Sequence, residues 1–243
     1  MNRRIIAPFL FASLVLLAGC LSAPLQTAGG EAGTDATTIS TTGTGEVTAE
    51  ADLAVISVGV TATADSADEA RGTVAEDVAA VRDALTEAGI AEDSIQSSGF
   101  HIYPEYDYGG EKRELVGYRA VHSLTVEVAP DRAGEVIDLA VGAGASEIRG
   151  VQFTLTDETR DDLRSEALTK AVDSAKSDAD AVASAADLSI TGVHTANVGG
   201  SSSPGPYPVA FAEDARGSSG APTELSPGPV TVSATVEMVY TAE

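Results

Sequence analysis

The chain has 243 residues, 43% of them hydrophobic and only 5% aromatic, and its 14 Lys and Arg stand against 37 Asp and Glu for a formal net charge of −23. That length allows one large domain with a real core, and the hydrophobic content excludes disorder as the meaning of the charge. So few cations exclude a basic nucleic-acid interface, and a single cysteine with three scattered histidines excludes an internal disulfide and a Cys/His zinc site.

The N-terminus accounts for the cysteine. Asn2-Arg3-Arg4 precedes an apolar run over residues 5–18, interrupted by Pro8, and then Leu17-Ala18-Gly19-Cys20. The run is shorter than the roughly 20 residues that span a bilayer, and small residues precede Cys20 as a signal peptidase requires. Residues 1–20 resemble a lipoprotein signal peptide with a lipobox, which makes Cys20 the lipidated first residue of the mature chain on the outer face of the cell membrane. An uncleaved anchor or a plain secretory peptide is the alternative, and each places the domain outside the cytoplasm. Loss of Arg3 and Arg4 deepens the net charge from −23 to −25. With three lysines and carboxylates scattered over every predicted helix, the surface is similar to that of extreme halophiles, whose self-repulsion is screened at molar salt, where the Debye length is about 3 Å. A cation-binding acidic surface is the competing reading, although no calcium-loop pattern is present. Residues 21–37, rich in Gly, Ala and Thr, form a flexible tether with an r.m.s. span of about 23 Å.

From residue 38 to the end the pattern is that of one folded domain. Strands are predicted over 39–49 and 53–64 with a turn at Glu50-Ala51-Asp52; Ala54, Ile56, Val58 and Val60 alternate with polar or small residues, the mark of a strand covered on one face. Ser66-Ala67-Asp68-Glu69 is a capping box, and Val74, Val78, Val81 and Leu85 recur at helical spacing until Gly89. Two long strands over 94–108 and 114–129 are joined through Gly109-Gly110, a tight hairpin signal. A short helix over 131–143 places Val136, Ile137, Ala140 and Val141 inward, and a strand over 148–156 follows. A longer helix, N-capped by Asp157, carries an inward stripe of Leu163, Ala167, Ala171, Ala175, Ala179, Val182 and Ala186. A strand over 190–198, a Gly/Ser/Pro loop over 199–220 and an alternating strand over 230–241 complete the chain. Interleaved helices and hairpins predict an α+β fold, a mostly antiparallel sheet with two or three helices on one face and a long β-hairpin.

The opening Thr42-Gly43-Thr44-Gly45-Glu46-Val47-Thr48-Ala49-Glu50-Ala51-Asp52, with Ala54-Val55-Ile56 after it, resembles the start of SIMPL-domain proteins. Further matches follow in order: Ala88-Gly89-Ile90, Asp93-Ser94-Ile95-Gln96-Ser97, Tyr103-Pro104-Glu105-Tyr106, Gly117-Tyr118-Arg119-Ala120 and the region 167–186. Each motif is weak alone, and Gly43-x-Gly45 is read as preceding a strand, not a phosphate-binding helix. Their order over residues 38–240 is the specific signal; Ala51 departs from the family's usual Pro. The resemblance implies exported or envelope-associated α+β proteins, some linked to oxidative-stress protection and some known as surface antigens, with oligomeric assembly plausible and no established catalytic residues.

Chemistry is hard to find in the residues. His101, His122 and His194 fall on different predicted strands without an oriented partner, so no catalytic residue, metal site or cofactor is assigned. Phe100, Tyr103, Tyr106 and Tyr108 lead into the hairpin tip and Tyr118 returns from it. They are either cross-strand pairs or anchors offered to another subunit or partner. The expectation is a non-enzymatic, lipid-anchored, self-assembling envelope or stress protein whose membrane contact is the lipid on Cys20 and whose protein partner is unknown. The alternative is a small-molecule or cation-binding surface lipoprotein. A hydrolase or redox enzyme is the third reading.

Overall fold

The computed structural model describes residues 36–110, 113–199 and 222–243. The leader with Cys20, the tether up to Asp35 and the loop over 200–221 lie outside the described residues. Ten regular elements follow in order: β1 (Thr37–Glu50), β2 (Leu53–Ala64), α1 (Ala67–Glu87), β3 (Ile95–Asp107), β4 (Glu114–Val128), α2 (Ala133–Gly142), β5 (Glu147–Thr154), α3 (Asp157–Ala185), β6 (Ile190–Val198) and β7 (Pro229–Ala242).

The α+β expectation holds, with one difference: the strands form two sheets instead of one. A four-stranded sheet has the order β3-β4-β2-β5 and a three-stranded sheet the order β1-β7-β6, and every strand pair is antiparallel. The turn at residues 50–52 therefore links two sheets and does not make a hairpin. β1 pairs along its whole length with β7, from Thr37↔Ala242 to Glu50↔Pro229, so the final strand closes the domain onto its first.

Each sheet has its own core. On the four-stranded sheet, Ala54, Ile56, Val58 and Val60 of β2 are fully buried against Val74, Val81 and Leu85 of α1 and Val136 and Ala140 of α2. Ser66 caps α1 as expected, its Oγ accepting from the Glu69 N–H at 3.2 Å, and Gly89 ends the helix at φ +81°, where an L side chain is disfavoured. In α2 the buried positions are Ala133, Val136 and Ala140. Ile137 is half-buried, and Val141, expected inside, is exposed. The residues before it, Pro130–Arg132, form a 3₁₀ turn.

On the three-stranded sheet, α3 lies along β1 and β7 through Ala167, Ala171, Ala175, Ala179 and Ala183. Here two expectations are corrected. The N-cap is Thr156, whose Oγ1 accepts from the Thr159 N–H, and not Asp157. The stripe ends on Ala183, while Val182 and Ala186 are exposed. Gly43-x-Gly45 sits inside β1, where its purpose is contact. A Cβ on Gly43 would meet the Ala171 carbonyl oxygen at 1.9 Å and one on Gly45 the Ala167 carbonyl oxygen at 2.1 Å. Glycine on the strand and alanine on the helix together let the two backbones touch.

Candidate functional site

The hairpin is the feature that leaves the body of the fold. Pairing of β4 with β2 stops at Ala64↔Tyr118, whereas β3 and β4 continue to pair through Glu105↔Gly117, Tyr106↔Leu115 and Asp107↔Glu114. Beyond Tyr118 the structure is thus a two-stranded arm, a form that is marginal in water unless something covers it. Its connection runs from Tyr108 to Arg113, longer than the two-residue turn that Gly109-Gly110 signals. Asp107 Oδ1 accepts from the Gly109 N–H at 2.7 Å and starts the turn.

Alternation along the strands distributes the aromatic residues over two faces. His101 and Tyr103 stack with ring centroids 5.8 Å apart, and Tyr106 and Tyr108 stand 6.5 Å apart. The Arg113 guanidinium lies 3.5 Å from the Tyr106 ring centroid and 5.9 Å from that of Tyr108. Arg119 and Glu105 form an ion pair at 2.5 Å between the two aromatic pairs. Tyr103 is 51% and Tyr108 73% exposed. Tyr118 is not part of this row: it pairs across from Pro104 and packs half-buried against the core of the four-stranded sheet. The structure therefore gathers Tyr106 and Tyr108 around Arg113, places Tyr103 one ion pair away, and sets Tyr118 apart.

No histidine has a partner legible from its neighbours in the chain, but the fold supplies one to His122. Its Nε2 lies 2.8 Å from Ser97 Oγ, Arg82 of α1 donates to the same Oγ at 3.3 Å and to the Ile95 carbonyl at 3.0 Å, and Phe100 meets the imidazole edge-on at 5.5 Å. Ser97 Oγ thus accepts from Arg82 and shares its second hydrogen bond with His122 Nε2, in which either atom can be the donor. Burial, then the Arg82 charge, push the His122 pKa below its ordinary 6.5. A depressed pKa weakens the imidazole as a base, and no carboxylate among the described residues orients its far nitrogen. The arrangement ties the β3 edge to α1. A register shift between Ser97 and Gly99 brings the serine into line, and no sequence signal announces it. His194 lies exposed on β6.

On the sheet's other face, Arg149 spans Gly59, donates to Ser123 Oγ, and pairs with Glu147 at 3.2 Å. A cleft of about 840 Å³ lies between the β1–β2 junction, the start of α2 and the segment 222–229, lined by Glu50, Asp131, Gly134, Glu224, Leu225 and Pro227 among others. The segment is clasped to α2 by Thr223, whose N–H and Oγ1 donate to Asp138 at 3.1 and 2.6 Å. Among the described residues no group of three or more His, Cys, Asp and Glu could hold a metal ion, and no helix is long and apolar enough to cross a membrane.

Residues 39–240 match the family model SIMPL, described as a protein of unknown function (DUF541). The chain is 30% identical over 184 residues to the 26 kDa periplasmic immunogenic protein of Brucella melitensis, covering 73% of each chain. It is 33% identical over 141 residues to the uncharacterized protein YggE of Escherichia coli K12, covering 57% of each, and likewise 33% identical over 141 residues to that of Edwardsiella ictaluri, covering 56% of this chain and 59% of the relative.

Proposed function

Because the chain belongs to the SIMPL family, we propose that it is a non-enzymatic extracytoplasmic protein, held to the outer face of the cell membrane by lipid on Cys20, which self-assembles and serves envelope maintenance or oxidative-stress protection. The leader and lipobox support export and anchoring, and the relative from Brucella is named periplasmic. The single observation that carries assembly is the arm beyond Tyr118. It presents Tyr108, Leu115 and Val116 to solvent, with Tyr106 half-buried beneath Arg113, and among the described residues no third strand lies behind it. Aromatic and arginine anchors on a projecting element are the usual make-up of a contact surface. Free strand edges in both sheets add further sites for association. The net charge of −25 suits a medium of high salt, in which copies with the same charge can approach one another.

The test is the double variant Tyr106→Ser/Tyr108→Ser, in which the assembly should fall to single copies while the unfolding midpoint stays within a few degrees of the parent's. Unchanged particle mass by light scattering would remove the arm from the account.

A second reading, capture of a small amine or cation, draws on the cleft, whose lining among the described residues carries Glu50, Asp131 and Glu224 and no basic side chain. It predicts that such a ligand raises the unfolding temperature, and that Asp131→Asn abolishes the rise.

A further inference from the structure

The helices α1 and α2 cover one face of the four-stranded sheet, and a trough crosses the other. Register sets Gly99 of β3, Ser123 of β4 and Gly59 of β2 side by side in one row, so a missing side chain leaves a hollow on each side of the serine. His101, Val121 and Thr61 make the row along one rim, and Thr125 and Ser57 stand along the other. Two side chains enter the trough from opposite edges. Arg149 is the extra residue of a bulge in β5, where Gly150 pairs with Ser57 and Ile148 with Val58. It lies across Gly59, its Nε 3.1 Å from the point a Cβ there would take, and donates through Nη1 to Ser123 Oγ. From β3 the His101 ring folds back over Gly99, supported by the stacked Tyr103 ring. A Cβ on Gly99 would lie 3.6 Å from His101 Nε2 and 3.9 Å from Ser123 Oγ, so this open point is common to both.

What converges there is a set of donors. Ser123 Oγ already accepts from Arg149, so its own proton is directed elsewhere, and it meets no acceptor among the described residues. Arg149 Nη2 and the His101 ring nitrogens have no hydrogen-bond partner among those residues either. Donors from three strands around one point call for an acceptor whose oxygens face several directions, which suits a tetrahedral oxyanion better than the planar fork of a carboxylate. Glu147 acts in both senses. It accepts from Arg149 Nε at 3.2 Å and so fixes the guanidinium over the trough, while its charge opposes a second anion. We propose that the trough at Gly99, Ser123 and Gly59 is a phosphate site, in which Arg149, the Ser123 hydroxyl and His101 Nε2 donate to the oxygens of a phosphomonoester. The site is separate from the arm and from the acidic cleft, and it stands whether or not copies assemble.

A phosphomonoester has two sources, a free solute and a lipid headgroup, and both are offered to the full chain in neutral detergent: glycerol 3-phosphate in solution, and phosphatidic acid mixed into the micelle. Each is followed by the line width of its own phosphorus resonance, with ionic strength held constant by sodium chloride so that screening does not change along the titration. The inference predicts broadening by the parent that saturates at one phosphate per chain for at least one of the two, and the tighter of them names the source. Arg149→Gln should weaken that affinity about tenfold or more, the loss of a charge-assisted hydrogen bond. Glu147→Gln, which removes the opposing charge, should strengthen it. Gly99→Ala keeps all three donors, and its Cβ makes only ordinary contacts, yet it fills the point they share. It should abolish binding while the unfolding midpoint stays that of the parent. Saturation by neither probe overturns the site. Binding by Gly99→Ala or Arg149→Gln as tight as the parent's overturns it as well, because the phosphate then lies elsewhere on the chain.

Discussion

Glycine occupies positions in this chain that look alike in sequence and differ sharply in space. A Cβ at Gly43 or Gly45 would overlap the backbone of α3, so Gly43→Ala or Gly45→Ala should cost about 3 kcal/mol in denaturant unfolding, through overpacking that neither backbone can relieve. Gly72 of α1 has nothing within 4 Å of its Cβ, and Gly72→Ala should raise stability by about 0.7 kcal/mol. If all three substitutions gave similar changes, the close approach of α3 to β1 would be wrong. Asp52 is a second such case. Burial raises its pKa, but the hydroxyl of Thr159 and the N–H and hydroxyl of Thr156 outweigh that and hold the carboxyl below its ordinary 3.8. A lowered native pKa stabilises the fold above the ordinary carboxyl range, and that contribution is lost as pH falls below 3.8 through the native value. Asp52 is exposed, so solvent screens part of this gain, and Asp52→Asn should lower stability at neutral pH by less than about 1 kcal/mol in chemical denaturation, and by much less near pH 2. For His122 the lowered pKa means that the unfolded chain takes the proton first, so stability declines as pH falls below 6.5. His122→Gln, which keeps an acceptor for Ser97, should flatten the unfolding profile between pH 7 and pH 5.

At the scale of elements, most of the fold was legible because each strand and helix states its own period. The alternation in β2 and β7, the Ser66 cap and the Gly89 stop placed their elements within a residue or two of where they lie. What alternation does not state is the partner. β1 and β2 follow one another directly, yet β1 bonds to β7, at the other end of the chain, and β2 to β4 and β5. A period of two tells which face is covered and not which strand lies beside it. The end of the α3 stripe was misread for a related reason. Alanines every four residues, from Ala167 to Ala183, drift around a helix of 3.6 residues per turn, and the strand beneath follows that drift. Val182 and Ala186 suit an undrifted stripe and so stay outside. Within the candidate site, the aromatic residues of the hairpin were visible as a local excess of Tyr. The separation of Tyr118 from the others, the Arg113 contact and the Ser97–His122 pair depend on register shifts at Ser97/Gly99 and Glu105/Tyr106. Bulges of that kind leave no trace in composition or spacing.

For the whole molecule, charge and assembly are linked. Thirty-seven carboxylates on 243 residues repel within a copy and between copies, and ion pairs such as Arg71–Asp68 at 3.0 Å and Lys170–Glu166 at 3.0 Å are on the surface, where each contributes little. The unfolding midpoint should accordingly rise as salt is raised from about 0.1 M to 1 M, where the Debye length shrinks from about 10 Å to about 3 Å. Association should follow the same course, since the arm offers apolar contacts through Tyr108, Leu115 and Val116 that strengthen as repulsion is screened. The most direct measurement is the protein mass of the full chain in neutral detergent, by light scattering coupled to size exclusion, in molar salt and again in low salt. The account predicts a discrete assembly of several copies in molar salt that dissociates when salt is withdrawn; a single copy under both conditions would contradict it.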